Sequence, residues 1–369
     1  MKIKKIRVFV IFLLFIVYFF LAARPVPLET VLTSAWVSSL DIESLPSTEE
    51  HLIPFTLGSR FGYVDKMGRF SINKAKENNI YLGENSWAEY EAQPVSIQIK
   101  NPYDMTLVNI ENTSGYPILL DNRIFIIGNE QNALSEIDLS GNVLWTYEYG
   151  APITCIDAAA GLVLTGSLDG IIEIIDSTGK RIFNFEPGGS KYGIILGCAI
   201  SANGSRLAVI CGVDQMRFLF LERSGTVGGE YRVVHHEYLD SGFRRPVRIL
   251  FIDQDSRIIY EQPGGLSCFN IRSRHAFFIP LNGNITAVDS LGSGGVFFLI
   301  TSDSRRRNEL VGIKLPEDRR FVLFGNDDAH RLIFLRASFY SDDVFLGRTG
   351  SKLIAGGGSA LISFDLEEK

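Results

Sequence analysis

The 369-residue sequence is 46% hydrophobic and 21% charged, contains 35 glycines, and carries a formal net charge of -6 at pH 7. This is globular composition, with length for one large repeat domain or two ordinary ones. Five of its 36 basic residues (Lys2, Lys4, Lys5, Arg7 and Arg24) flank an N-terminal apolar run, so the rest of the chain is more acidic than the total; nucleic-acid phosphates would repel it, which argues against a nucleic-acid partner.

From the N-terminus, Met1 to Arg7 is basic, Val8 to Ala23 is uninterrupted apolar sequence, and Arg24-Pro25-Val26-Pro27 ends it. The run lies between the roughly 7–15 apolar residues of a secretory signal and the about 17–25 of a membrane-spanning helix. The bulk of Phe9, Phe12, Phe15, Tyr18, Phe19 and Phe20, with one poor cleavage option near Ala22-Ala23, favours an uncleaved transmembrane helix over residues 1–24. A cleaved signal is the alternative. No Cys follows the run, which excludes a lipoprotein signal, and the positive flank is expected to stay cytoplasmic, placing the remainder outside. Residues 25–54, broken by Pro25, Pro27, Pro46 and Pro54, read as a stalk linker in which Thr30–Leu40 fits a short helix.

From residue 55 to 369 the pattern is of strands. Runs of four to six apolar-rich residues recur about every ten positions between Gly, Asn and Asp turns, and no long stretch after Leu40 has helical periodicity. The clearest part is Tyr116 to Gly189, which reads as two copies of one unit. Ile124–Gly128, Ala133–Asp138, the turn Leu139-Ser140-Gly141-Asn142 and Val143–Tyr147 are echoed by Leu162–Gly166, Gly170–Asp176, the turn Ser177-Thr178-Gly179-Lys180 and Arg181–Phe185. Asp138 to Asp176 and Gly141 to Gly179 are each one period of about 38 residues, a length typical of a propeller blade. Small sheets of this kind bury both faces only by stacking on one another in a closed ring. Six units from about Asp104 onward, with the strands from Phe55 to Ser96 as one more, predict an all-β, seven-bladed β-propeller over residues 55–369. N-terminal strands beside the C-terminal unit are expected to close it.

The segment Asp138-Leu139-Ser140-Gly141-Asn142-Val143-Leu144-Trp145 resembles the D-x-x-G-x-x-x-W stretch of PQQ-type propeller repeats, and Gly166–Gly170 followed by Ile174–Lys180 is similar to the same repeat and to WD40 repeats. The second copy has Phe183 in place of the Trp, and the chain has no Trp-Asp dipeptide, no WD40 histidine and no adjacent cysteines of the PQQ-using dehydrogenases. The resemblance therefore implies a fold without an activity. An anchored, outward-facing propeller is also similar to bacterial envelope propellers that act as assembly scaffolds, which implies other envelope or membrane proteins as partners.

No catalytic, cofactor-binding or metal residue stands out. His235-His236 would point to opposite faces of a strand, Asp253-Gln254-Asp255 reads as a solvated turn, and Arg305-Arg306-Arg307 as a solvated loop. Arg244-Arg245-Pro246 is a candidate for the channel. Trp145 and Phe183 are expected to pack between blades. Cys155, Cys198, Cys211 and Cys268 read as buried strand residues, with a Cys198–Cys211 cross-strand pair as the alternative in an oxidising compartment. Two functions follow: a non-catalytic, membrane-tethered scaffold on the periplasmic side of the inner membrane, or a sensor or enzyme taking a small ligand in its channel.

Overall fold

Eight small antiparallel sheets follow one another along the chain and form a ring. The computed structural model describes residues 11–18, 30–41, 46–49, 51–225, 230–240, 242–289, 295–316 and 331–368. Blade 1 spans 53–75 and has three strands; blades 2 to 7 have four each and span 79–111, 116–148, 153–185, 195–238, 249–280 and 284–340. Blade 8 takes three strands from 344–368 and its fourth from Thr30–Ser39. The expected count of seven is corrected to eight. Residues 55–96 do not make one unit: they are divided between blades 1 and 2, and the first two strands of blade 2, Asn79–Leu82 and Trp87–Tyr90, have only four residues each.

The N-terminal expectations also change. The described part of the N-terminal apolar run, residues 11–18, is helical. Among the described residues no helix is long and apolar enough to cross a membrane, which corrects the transmembrane helix expected over residues 1–24. Residues 1–10 and 19–29 lie outside the described residues. Thr30–Ser39 is a strand and not a short helix. Its β-branched Thr30, Val31, Thr33 and Val37 suit a pleated surface, and a ready edge pairs with it. It runs antiparallel to Ala360–Glu368, with Thr30 opposite Glu368, Ser39 opposite Ala360 and a bulge at Ser34/Trp36. Leu40, Phe55, Leu57, Ile354 and Leu361 then make one buried cluster from the N-terminal segment, blade 1 and blade 8.

The seams between blades are apolar elsewhere too. Phe218 of blade 5 stacks on Tyr260 of blade 6 at 4.4 Å, and Phe61 of blade 1 packs on Trp87 of blade 2 at 5.1 Å. Another seam holds a charged pair: Arg348 of blade 8 meets Asp289, just after the first strand of blade 7, at 3.1 Å, both almost fully buried.

One turn recurs before the last strand of blades 1 to 4. The side-chain oxygen of Asp65, Asn101, Asp138 or Asp176 accepts from the backbone N–H groups two and four residues on, at 2.8–3.1 Å. The residue at the third position after it is left-handed, at φ 84° for Gly68, 66° for Asp104, 85° for Gly141 and 80° for Gly179. These are Asx turns, closed by side chains that mimic a backbone carbonyl. Each glycine of the two best cases also lies against an aromatic ring of the preceding blade. A Cβ on Gly68 would sit 2.9 Å from the Trp36 ring and one on Gly179 would sit 2.6 Å from Trp145. The D-x-x-G signature thus joins one blade to the last, and Trp145 packs at a seam as expected. So does Phe183, 5.2 Å from Tyr231 of blade 5.

Two measurements test this. Gly179→Ala faces both a left-handed backbone, costing about 1–2 kcal/mol, and the Trp145 ring, whereas Gly161→Ala (φ 74°, nothing within 4 Å) faces the backbone alone. Urea unfolding is expected to rank Gly179→Ala clearly below Gly161→Ala; equal losses would remove the seam role of the turn. Leu361→Ala is expected to cost about 2–5 kcal/mol, and a chain ending at Ser359 more. A truncated chain melting with the parent rules out closure by Ala360–Glu368.

Candidate functional site

In an antiparallel blade the loops fall alternately on the two faces of the ring. The links between successive blades and the loop between the second and third strands of a blade share one face. On that face, blades 4, 5 and 6 surround a hollow of about 590 Å³. Its floor is Ile194, Ile195 and Leu196, entering the first strand of blade 5, and its walls are Leu168, Tyr192 and Val213. Leu168 and Tyr192 are about half exposed. The loop holding Tyr192 is fixed by Asp214, whose carboxylate accepts from the N–H groups of Lys191 and Tyr192 at 3.1 and 3.3 Å and from the Ser190 hydroxyl. Those hydrogen bonds, the Ser190 one foremost, hold the Asp214 carboxyl well below the usual carboxylate range.

The rim is basic. Arg245 makes a two-pronged pair with buried Glu261 at 2.6 and 3.1 Å and lies over the Phe243 ring at 4.3 Å. Glu261 thereby holds the guanidinium proton more firmly and anchors the link between blades 5 and 6. Arg244 beside it is exposed, and among the described residues no hydrogen bond or ion pair engages it. Arg217 donates to the Gly188 carbonyl at 3.0 Å and lies over Tyr238, and Lys191 lies over Tyr192. The expectation that Arg244-Arg245 faces the channel is met only at its mouth. The channel residue is Arg248, which donates to the Thr286 carbonyl of blade 7 at 2.6 Å.

Behind the mouth, a second hollow of about 460 Å³ is lined by the first strands of blades 4 to 7, and Leu196 and Pro246 border both. Asp157 projects into it, accepting from the N–H groups of Ala158 and of Ile200 of blade 5, both at 2.9 Å. Burial pushes the Asp157 carboxyl up to about 6, against the pull of those two N–H groups, and the nearby Asp121 adds to the rise. Burial likewise lowers Arg248 from its ordinary value. Sequence reading passed over Asp157. The signal was there, as a carboxylate inside the apolar run Ile153–Ala159.

The other singled-out residues take structural places. His235 packs on Phe269 at 4.7 Å while His236 faces Tyr238, on opposite faces of the strand. Asp255 accepts from Ala202 N–H of blade 5 at 2.7 Å and Asp253 lies 3.7 Å from Arg257, so their turn ties two blades together. In the arginine triplet, Arg306 pairs with Asp342 and Arg307 donates to Ser338 at 3.1 Å. Cys198 stands opposite Val209 and Cys211 opposite Ile195, so these two cysteines do not face one another.

A family model described as "beta-propeller protein" matches residues 1–368. The chain belongs to the β-propeller protein family. An "Uncharacterized protein" of Treponema pallidum (strain Nichols) is 26% identical over 347 residues, 91% of each chain. Among solved structures, BamB from Moraxella catarrhalis superposes with a TM-score of 0.57 at 15% identity, covering 91% of this propeller and 100% of BamB. The computationally designed Ika8 protein does so with 0.62 at 11% identity, covering 92% and 98%. At these identities the likeness is one of fold.

Asp157 supplies a pH test. Its pKa in the propeller lies above that of an unfolded chain, so it favours the fold fully below about pH 4, and that contribution is lost as pH rises through about 6. Asp157→Asn is neutral throughout. The stability difference, variant minus parent, is expected to grow in the variant's favour by on the order of 2 kcal/mol between pH 4 and 7. A difference flat with pH in urea titrations would show that the carboxyl titrates normally.

Proposed function

We propose that this propeller is a non-catalytic interaction scaffold that docks partner proteins on the face formed by blades 4, 5 and 6. The observation that carries the reading is the mouth itself, an apolar hollow with half-exposed Leu168 and Tyr192, bordered by the exposed Arg244 and by Arg245. Aromatic anchors in a pocket with charged surroundings are the usual centre of a protein interface. The complementary partner is a segment presenting apolar side chains beside carboxylates. On an acidic chain the exposed Arg244 at this mouth also selects by charge. We place the domain on the outer side of the bacterial cytoplasmic membrane, among envelope proteins. The basic and apolar leader in the sequence supports this, as does the resemblance to envelope assembly propellers.

A second reading rests on the inner hollow, where Asp157 and Arg248 would suit a small polar ligand. Affinity capture from crosslinked envelopes separates the two. The double variant Tyr192→Ala, Arg244→Glu is expected to lose captured partner about tenfold or more with an unchanged melting temperature. If it captures the same proteins in the same yield, and small polar ligands give a saturable thermal shift that Asp157→Asn abolishes, the docking reading fails.

A further inference from the structure

Two thiols meet beneath the mouth. Cys155 is on the first strand of blade 4 (Ile153–Ala159) and Cys198 on the first strand of blade 5 (Ile195–Ile200). These strands run side by side and are bonded at two points. The Thr154 hydroxyl donates to the Ile195 carbonyl at 2.6 Å, and Ile200 N–H donates to Asp157 at 2.9 Å. The two bonds bracket the cysteines and hold them across the seam from each other. Both side chains belong to one packed cluster and both line the channel hollow. Cys155 is half-buried and Cys198 is buried, and both are free thiols.

We propose that Cys155 and Cys198 are a dithiol site that closes to an inter-blade disulfide when a disulfide oxidant enters the channel. The accessible Cys155 thiolate attacks the oxidant R–S–S–R, forming Cys155–S–S–R and releasing RS⁻. The Cys198 sulfur then attacks Cys155 Sγ, the Cys155–S–S–Cys198 bond forms, and the second RS⁻ leaves. The two thiol protons pass to the two RS⁻, so the two cysteines are oxidised and one R–S–S–R is reduced to two RSH. The order is set by access. The neighbouring Cys155 thiol, together with burial, holds the Cys198 thiol well above its ordinary value, so Cys198 is the resolving and not the attacking group. The product ties blade 4 to blade 5 under the hollow.

The test uses the purified full chain and oxidised glutathione under native conditions, quenched with N-ethylmaleimide and read by intact mass and peptide mapping. The expected result is a loss of the mass of two hydrogen atoms, two thiols no longer alkylated, and a linked peptide joining Cys155 to Cys198. Cys211→Ser is expected to form the same link. Cys198→Ser is expected to stop at a glutathione adduct on Cys155, and Cys155→Ser to form neither link nor adduct. The oxidised parent is expected to melt higher than the reduced one. Four alkylatable thiols after oxidation, a stable adduct without ring closure in the parent, or a link from Cys198 to Cys211 would each overturn the proposal.

Discussion

A four-stranded sheet has two faces and, in this chain, enough apolar side chains for both. That constraint governs the rest. No blade can bury Phe218, Tyr260 or Ile354 alone, so each takes its second cover from a neighbour, and the sequence of sheets has to return to its start. The return is made by backbone pairing between Thr30–Ser39 and Ala360–Glu368, supported by the cluster around Leu361. Stability in such a ring is a sum over seams, and the seams differ in chemistry. Some are aromatic, one holds the buried Arg348–Asp289 pair, and one holds two thiols.

The fold class was legible because an apolar strand buried on both faces loses its polar alternation while its turns keep their Asp, Asn and Gly. The period was legible only in part. The first strands of blades 2, 3 and 4 begin 37 residues apart, whereas those of blades 5 and 6 are 54 apart and those of blades 7 and 8 are 60 apart. Longer sequence intervals between successive strands hide the repeat where it continues. The missed blade has a different cause, since strands of four residues carry too little pattern to be counted. Thr30–Ser39 was misread because its partner lies more than 300 residues away, and local spacing holds no trace of that pairing.

The mouth and the channel were less legible than the frame. Leu168, Tyr192 and Arg244 are on three separate connections and share nothing in sequence; the ring alone brings them together. Asp157 and Cys155 are two positions apart on one strand, yet their meaning depends on blade 5, which supplies Ile200 N–H to the one and Cys198 to the other. A rigid ring carrying irregular links is a common division of labour, in which the repeat fixes position and the connections carry recognition.

The seam in blade 8 has a consequence for biogenesis. The strand that completes the circle is synthesised more than 300 residues before the strand it pairs with. At about 5–20 residues per second, the ribosome needs roughly 15–65 s to travel from one to the other. Through that interval Thr30–Ser39 is an open edge with Val31, Leu32 and Trp36 unsheathed, able to pair with any other unfinished chain. The cell therefore has a stake in keeping the nascent N-terminal segment occupied, and crowded synthesis at high expression would show this as inter-chain exchange of that strand.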